Sequence, residues 1–215
     1  MHLVVFDIDG TLVDSGEYES ELYAQAIKDI LGFQVDDDWS RYRHVTDSGI
    51  LDQVIKNNSL DEDRDKIHKR VKKRFIDLTK NHFASRPDSL KEIPGARILI
   101  EKLKAKDSCV LAIATGGWEE TARMKLGGIG VELDGVALAT ASDATSRVEI
   151  MQMAEARVLD GGTVIRKTYF GDRIWDKQAS EHLGYHFIAV GNAVEHQTRF
   201  RDLLSHAAIL AQLGV

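Results

Sequence analysis

The chain is short of the residues that staple, punctuate or anchor a protein. A single cysteine, Cys109, allows no intramolecular disulfide, and its place in the apolar run Cys109-Val110-Leu111-Ala112-Ile113-Ala114 predicts a buried core thiol rather than a reactive one. There are two prolines, Pro87 and Pro94, and they bracket Pro87-Asp88-Ser89-Leu90-Lys91-Glu92-Ile93-Pro94-Gly95, the best linker candidate in the sequence. No long hydrophobic run is present. The N-terminal stretch Leu3-Val4-Val5-Phe6 is broken by Asp7 and carries no basic leader, so neither a signal peptide nor a membrane span fits, and a cytoplasmic address is the default expectation. An excess of positive charge is missing too. The net charge of -6 argues against a general nucleic-acid or anionic-membrane binder.

What remains is an ordinary globular composition. With 215 residues and 43% hydrophobic content the chain can bury a sizeable core, as one domain with a large insertion or as two small domains. Short apolar runs alternate with helical patterns from about Gly95 onward, the signature of a parallel sheet with covering helices. The expected fold class is α/β, a Rossmann-like parallel-sheet core in three layers. Strands are predicted at His2 to Phe6, Cys109 to Ala114, Gly135 to Ala139, Thr168 to Phe170 and His186 to Val190. Between the first strand and the helix near Gly95 lie about 75 residues, where βα connections normally take about 2 to 6. This insertion must therefore be structured, and it reads as a small helical bundle. A helix opens on the acidic stretch from Glu17, with Leu22, Ala26 and Ile30 on one face, and a later helix carries Ile67, Val71, Phe75 and Leu78. The basic run Lys66 to Arg74 is expected to be the solvated face of that later helix. His182 and His186 have the spacing of a zinc helix, but Gly184 between them ends the helix and argues against zinc.

Chemistry is concentrated at strand ends, where open α/β sheets bind ligands. Asp7 and Asp9 follow the first apolar strand; Asp is a poor strand former and an unpaired buried carboxylate is costly, so a cation or a reaction that needs them is implied. At i and i+2 the two could converge on one ligand. Ala112-Ile113-Ala114-Thr115-Gly116-Gly117 ends a strand in a hydroxyl and two glycines, a plausible phosphate cradle. Tyr169-Phe170-Gly171-Asp172-Arg173-Ile174-Trp175-Asp176 ends another in carboxylates; Asp172 could complete a Mg²⁺ site with the first pair, and Asp176 could orient ligands from one helical turn on. Arg147 opens a helix after the third strand and could stabilise a phosphoryl group in transit. Thr46-Asp47-Ser48-Gly49 opens a helix in the insertion, either as an N-cap or as a leaving-group contact.

Asp7-Ile8-Asp9-Gly10-Thr11, Thr115, Arg147 and Gly171-Asp172 through Asp176 resemble, in order and spacing, the four motifs of the haloacid dehalogenase superfamily of phosphohydrolases. The insertion resembles the helical C1-type cap of its phosphoglycolate-phosphatase-like members. The resemblance implies a core of residues 1-13 and 90-215 and a cap of 14-89. It also implies a Mg²⁺-dependent phosphomonoesterase that works on a small phosphorylated metabolite as a monomer or small homo-oligomer. Asp7 would then be the nucleophile, Asp9 the proton carrier, and Thr115, Gly116 and Arg147 the phosphate-binding groups. Asp7, the main-chain carbonyl of Asp9, and Asp172 would hold the metal, with Asp176 behind them and Thr46 and Asp47 as possible cap contacts. Two positions depart from the family. Arg147 stands where lysine is usual, the rival Lys167 lying at the wrong edge of the sheet, and Arg173 occupies a position more often small. Members that release halide or act on phosphonoacetaldehyde lack an acid at the Asp9 position, so Asp9 favours phosphate esters. A phosphomutase, or a non-catalytic phospho-acceptor like a response receiver, is the alternative.

Overall fold

The computed structural model describes residues 1–15, 18–159 and 162–215, so Glu17, where the sequence places the start of a helix, lies outside the described residues. The chain runs β1 (His2–Phe6), β2 (Val13–Asp14), α1 (Tyr18–Leu31), α2 (Asp47–Asn57), α3 (Arg64–Ser85), β3 (Lys91–Glu92) and α4 (Ala96–Lys104). It continues through β4 (Cys109–Ala114), α5 (Glu119–Gly128), β5 (Val136–Ala139), α6 (Arg147–Leu159), β6 (Arg166–Gly171), α7 (Ile174–Leu183), β7 (His186–Val190), β8 (Arg199–Phe200) and α8 (His206–Leu213). Six strands form one sheet in the order β5-β4-β1-β6-β7-β8, and every pairing in it is parallel.

β1 is the hinge of this arrangement. Its residues Leu3, Val4, Val5 and Phe6 are buried, because helices cover both faces of a parallel sheet. Leu3 and Val5 enter one apolar cluster and Val4 and Phe6 the other, the alternation that strand geometry requires. The chain builds outward from β1 to β4 and β5, then returns to its other side as β6, β7 and β8. That reversal leaves a crevice at the carboxyl ends of the central strands.

The linker predicted from the two prolines is more ordered than a linker. Lys91 and Glu92 pair antiparallel with Asp14 and Val13, so the chain's exit to the helical segment and its return from it are pinned as a two-stranded ribbon. Neither strand was legible in the sequence, being two residues long. The helical faces also shift from the predicted ones. In α1 the fully buried residues are Tyr23, Ala26 and Ile27, with Leu22 and Ile30 only partly covered, and in α3 Thr79 replaces Leu78 as the fourth buried position. Cys109 is half-buried at the start of β4, not deep in the core, because the first two positions of that strand are its frayed, partly exposed end.

Helices α1 to α3 do not enclose a core of their own. Tyr23, Ile27, Val71 and Phe75 share one apolar cluster with Leu3, Ala112 and Tyr169 of the sheet. Trp118, 2% exposed, is the joint: its ring meets Tyr23 at 5.7 Å and Phe75 at 6.0 Å, and its indole N–H donates to Ser48 Oγ at 3.0 Å.

Candidate active site

Three adjacent strands deliver three predicted residues to one place. Phe6 is level with Ile113 on β4 and with Phe170 on β6, so Asp7 emerges between the ends of both neighbours. Its N–H donates to Phe170 O at 2.9 Å, and the Thr115 N–H donates to Ala139 O at 3.1 Å, carrying the ladder one step past β4. Asp7, Asp172 and Asp176 are buried, and one carboxylate oxygen from each lies within 4.8 Å of the others. Three carboxylates packed this closely repel one another. Burial and then the neighbouring Asp176 and Asp7 charges push the Asp172 carboxyl up to about 8. Asp176 is pushed up to about 7, first by burial, although Arg147 pulls it back. Burial raises Asp7 as well, against the pull of Arg147.

Arg147 is the cation of this cluster. Its Nη1 lies 3.0 Å from Asp7 Oδ1 and its Nε 3.4 Å from Asp176 Oδ1. The planar fork reaches the two carboxylates through separate nitrogens in a fixed geometry, where a lysine would offer a single ammonium. Beneath it, the Tyr169 hydroxyl donates to Ala114 O at 2.8 Å and stands 3.5 Å from Arg147 Nη1. Lys167 is not in the site; it lies near the start of β6, level with Leu3, and pairs with Glu155. Two glycines make room. A Cβ at Gly116 would sit 2.8 Å from Arg147 Nη2, and one at Gly10, whose φ is +74°, would sit 2.1 Å from Asp172 Oδ2.

Asp7 and Asp9 line the same cavity, but their carboxylates do not share one cluster. β1 ends at Phe6 and the chain turns, with the N–H groups of Leu12 and Val13 both donating to Ile8 O. The Asp9 carboxylate therefore faces Lys125, whose Nζ lies 2.7 Å from Oδ1 and 2.8 Å from Oδ2, and it is not part of the three-carboxylate cluster. Lys125 also pairs with Glu19 of α1. Burial alone would raise Asp9; Lys125 overrides it and the net shift is downward, whereas burial and the Asp9 charge push Glu19 well up. Neither Lys125 nor Glu19 stood out in the sequence as a site residue.

Thr46 and Asp47 fasten the helical segment to the sheet. Thr46 Oγ1 accepts from Gly49 N at 3.0 Å, the N-cap of α2, and donates to Thr145 O at 2.6 Å. Asp47 receives the Trp118 N–H on Oδ2 at 2.8 Å and gives its own N–H to Gly116 O at 2.8 Å. Both residues also line a cavity of about 850 Å³ that reaches Asp7, Asp9, Thr115 and Gly116. Trp39, Trp175 and the acidic Asp14 and Asp37 line it as well. Arg173 stands at the rim, half-exposed, with Nε 2.9 Å from Asp172 Oδ2.

The donor set of the cluster is all oxygen, and Asp172 Oδ1 is buried without a hydrogen-bond partner. An orphaned acceptor of this kind suits a hard divalent cation. A parallel sheet with carboxylates, a hydroxyl and a buried guanidinium at its switch point is the ligand-binding site of an α/β fold. The chain belongs to the haloacid dehalogenase-like hydrolases, whose family model matches residues 4–190. No curated protein matches the chain in sequence. Similar solved structures include CbbY from Rhodobacter sphaeroides in complex with phosphate, at a TM-score of 0.73 and 17% identity over 99% of each chain. Another is beta-phosphoglucomutase from Clostridium difficile, at 0.73 and 14% identity, covering 99% of this chain and 96% of that one. A third is a predicted phosphoglycolate phosphatase from Haemophilus somnus, at 0.66 and 18% identity over 96% of each chain. Among the described residues no helix is long and apolar enough to cross a membrane.

Proposed function

We propose that this protein is a Mg²⁺-dependent phosphomonoesterase that hydrolyses a small phosphorylated metabolite through an aspartyl-phosphate on Asp7. In this reading residues 14–89 form a cap over a core of residues 1–13 and 90–215. The observation that carries the reading is the meeting of Asp7 and Asp172, at the ends of neighbouring strands, with Asp176 and Arg147 from the first turns of α7 and α6, beside a cavity large enough for a small ester.

Asp7 attacks phosphorus in line, and the bond to the leaving oxygen breaks. The electron pair stays on that oxygen, which takes a proton from the Asp9 carboxyl. Arg147, the Thr115 hydroxyl and the Gly116 N–H hold the non-bridging oxygens. In the second half, Asp9 takes a proton from a water that attacks the acyl-phosphate, releasing inorganic phosphate and restoring the Asp7 carboxylate. Asp7, the Asp9 carbonyl and Asp172 would hold Mg²⁺, with Asp176 orienting them, and the ion would supply charge neutralisation at the phosphoryl group.

The test is release of inorganic phosphate from a generic aryl phosphate with Mg²⁺, followed by a panel of phosphorylated metabolites. Turnover should vanish with chelator and in Asp7→Asn. Retention of substantial Mg²⁺-dependent activity by Asp7→Asn would falsify the assignment.

A further inference from the structure

Lys125 is a lysine with 1% of its side chain exposed. Lysine is almost never buried so completely unless paired. Its ammonium has three N–H donors, and three acceptors surround it: both oxygens of Asp9 and one of Glu19. The two carboxylates come from different parts of the fold, Asp9 from the turn after β1 and Glu19 from the second residue of α1 in the helical insertion. Lys125 is carried to them by the inward face of α5, which it shares with Thr121, Ala122 and Leu126. A leucine there would continue the apolar stripe. It would also leave Asp9 and Glu19 facing each other without a counter-charge, so the lysine serves these two groups rather than the packing of α5.

We propose that Lys125 is a positioning residue for the proton transfer assigned to Asp9, and that Glu19 ties its hold on Asp9 to the seating of the helical insertion. The inference rests on the reading of Asp9 as proton carrier. The grip at both oxygens fixes the plane of the ionised Asp9; to carry a proton one oxygen comes free of Lys125 while the other stays bonded to it, so Lys125 sets the direction from which Asp9 meets the leaving oxygen. When one Asp9 oxygen turns to that task, Glu19 remains as an acceptor, and the buried ammonium is never left unpaired. Withdrawal of α1 would remove this second acceptor and clamp Lys125 on Asp9 alone.

The experiment measures kcat/KM, with Mg²⁺, for a series of aryl phosphates whose leaving phenols run from strongly acidic (nitrophenyl) to weakly acidic (phenyl). The ratio reports the steps through phosphoryl transfer to Asp7. A nitrophenolate leaves without a proton, whereas a phenolate benefits from one, and general-acid assistance is worth about 10²–10⁴ in rate. Lys125→Met should therefore lose about tenfold or more on phenyl phosphate beyond its loss on the nitrophenyl ester, with the extra loss in kcat rather than KM. Glu19→Gln, which leaves the lysine in place and is read independently should Lys125→Met fail to fold, should shift the series in the same direction. Equal losses across the series in the folded variants would overturn the role of Lys125, because a purely structural defect does not sense the leaving group. Absence of Mg²⁺-dependent turnover of any ester by the unaltered protein would instead overturn the phosphatase reading beneath it.

Discussion

Arg147 holds Asp7 with one nitrogen and Asp176 with another, Nη1 at 3.0 Å and Nε at 3.4 Å, and so bridges the carboxylate at the end of β1 to the one in the first turn of α7. Both carboxylates are buried, so the guanidinium offsets a repulsion that would otherwise fall on the folded state. Arg147→Ala should cost about 3–5 kcal/mol of stability, the usual penalty for stripping one partner from a buried charged network. Arg147→Lys should keep most of the stability but lower kcat/KM by about 10–100-fold, since one ammonium does not reproduce the fixed placing of two separate nitrogens against Asp7 and Asp176. Denaturant melts and steady-state kinetics on the two variants check this; a lysine variant with unaltered kinetics would mean that charge alone suffices.

Metal binding should depend steeply on pH. Asp172 is pushed up to about 8 and Asp176 to about 7, in each case first by burial. Groups raised in this way hold more protons folded than unfolded, so the metal-free protein loses stability as pH rises from the ordinary carboxylate range through 7 to 8. Mg²⁺ competes with those protons. Its stabilisation should be small at pH 6 and approach about 2.7 kcal/mol at pH 8 when the ion is present at a hundredfold excess over Kd. Thermal melts with Mg²⁺ or chelator at the two pH values measure it, and a shift independent of pH would contradict the cluster as the binding site.

Gly10→Ala should separate folding from metal binding. The new Cβ would lie 2.1 Å from Asp172 Oδ2, at a backbone φ of +74°. The left-handed conformation costs about 1–2 kcal/mol for a residue with a Cβ, and the clash displaces Asp172 in addition. The variant should fold with a lowered melting temperature and need far more Mg²⁺ for half-maximal activity, as read in a metal titration.

Trp118→Ala should unfold the helical insertion and the sheet together. The indole packs on Tyr23 and Phe75 while its backbone N–H is held by Asp47. Truncating a buried tryptophan costs about 3–5 kcal/mol. Because one apolar cluster spans both parts, far-ultraviolet and near-ultraviolet circular dichroism should report a single lowered transition; two separated transitions would show that the parts hold together independently.

The sequence was most legible where local pattern and long-range environment agree. β1, β4 and β7 are continuous apolar runs because both sheet faces are covered, and their ends fall where the runs stop. Asp7 and Thr115 could be placed because each is a polar residue at such an end, and Asp172 because it follows the short buried stretch that closes β6. The ribbon of Val13–Asp14 with Lys91–Glu92 could not be read, since two residues have no period. Lys125 was hidden for a different reason: a lysine on a helix ordinarily faces water. One signal was available, because Lys125 falls at the fourth position after Thr121, on the same stripe as Ala122 and Leu126 that packs inward. The divergence of Asp9 from Asp7 depends on a turn after Phe6, which the alternation rule for strands does not include.

The chain contains three tryptophans, Trp39, Trp118 and Trp175. Two of them line the cavity, and the third follows directly on the Thr115-Gly116-Gly117 turn. Far from the cavity there is no indole at all, so the tryptophan fluorescence of this protein, excited selectively at the red edge where tyrosine does not absorb, is a light source placed at and beside the site. Occupancy of the cavity can be followed through these indoles in the unlabelled, unmutated protein, with no tryptophan background from the rest of the fold.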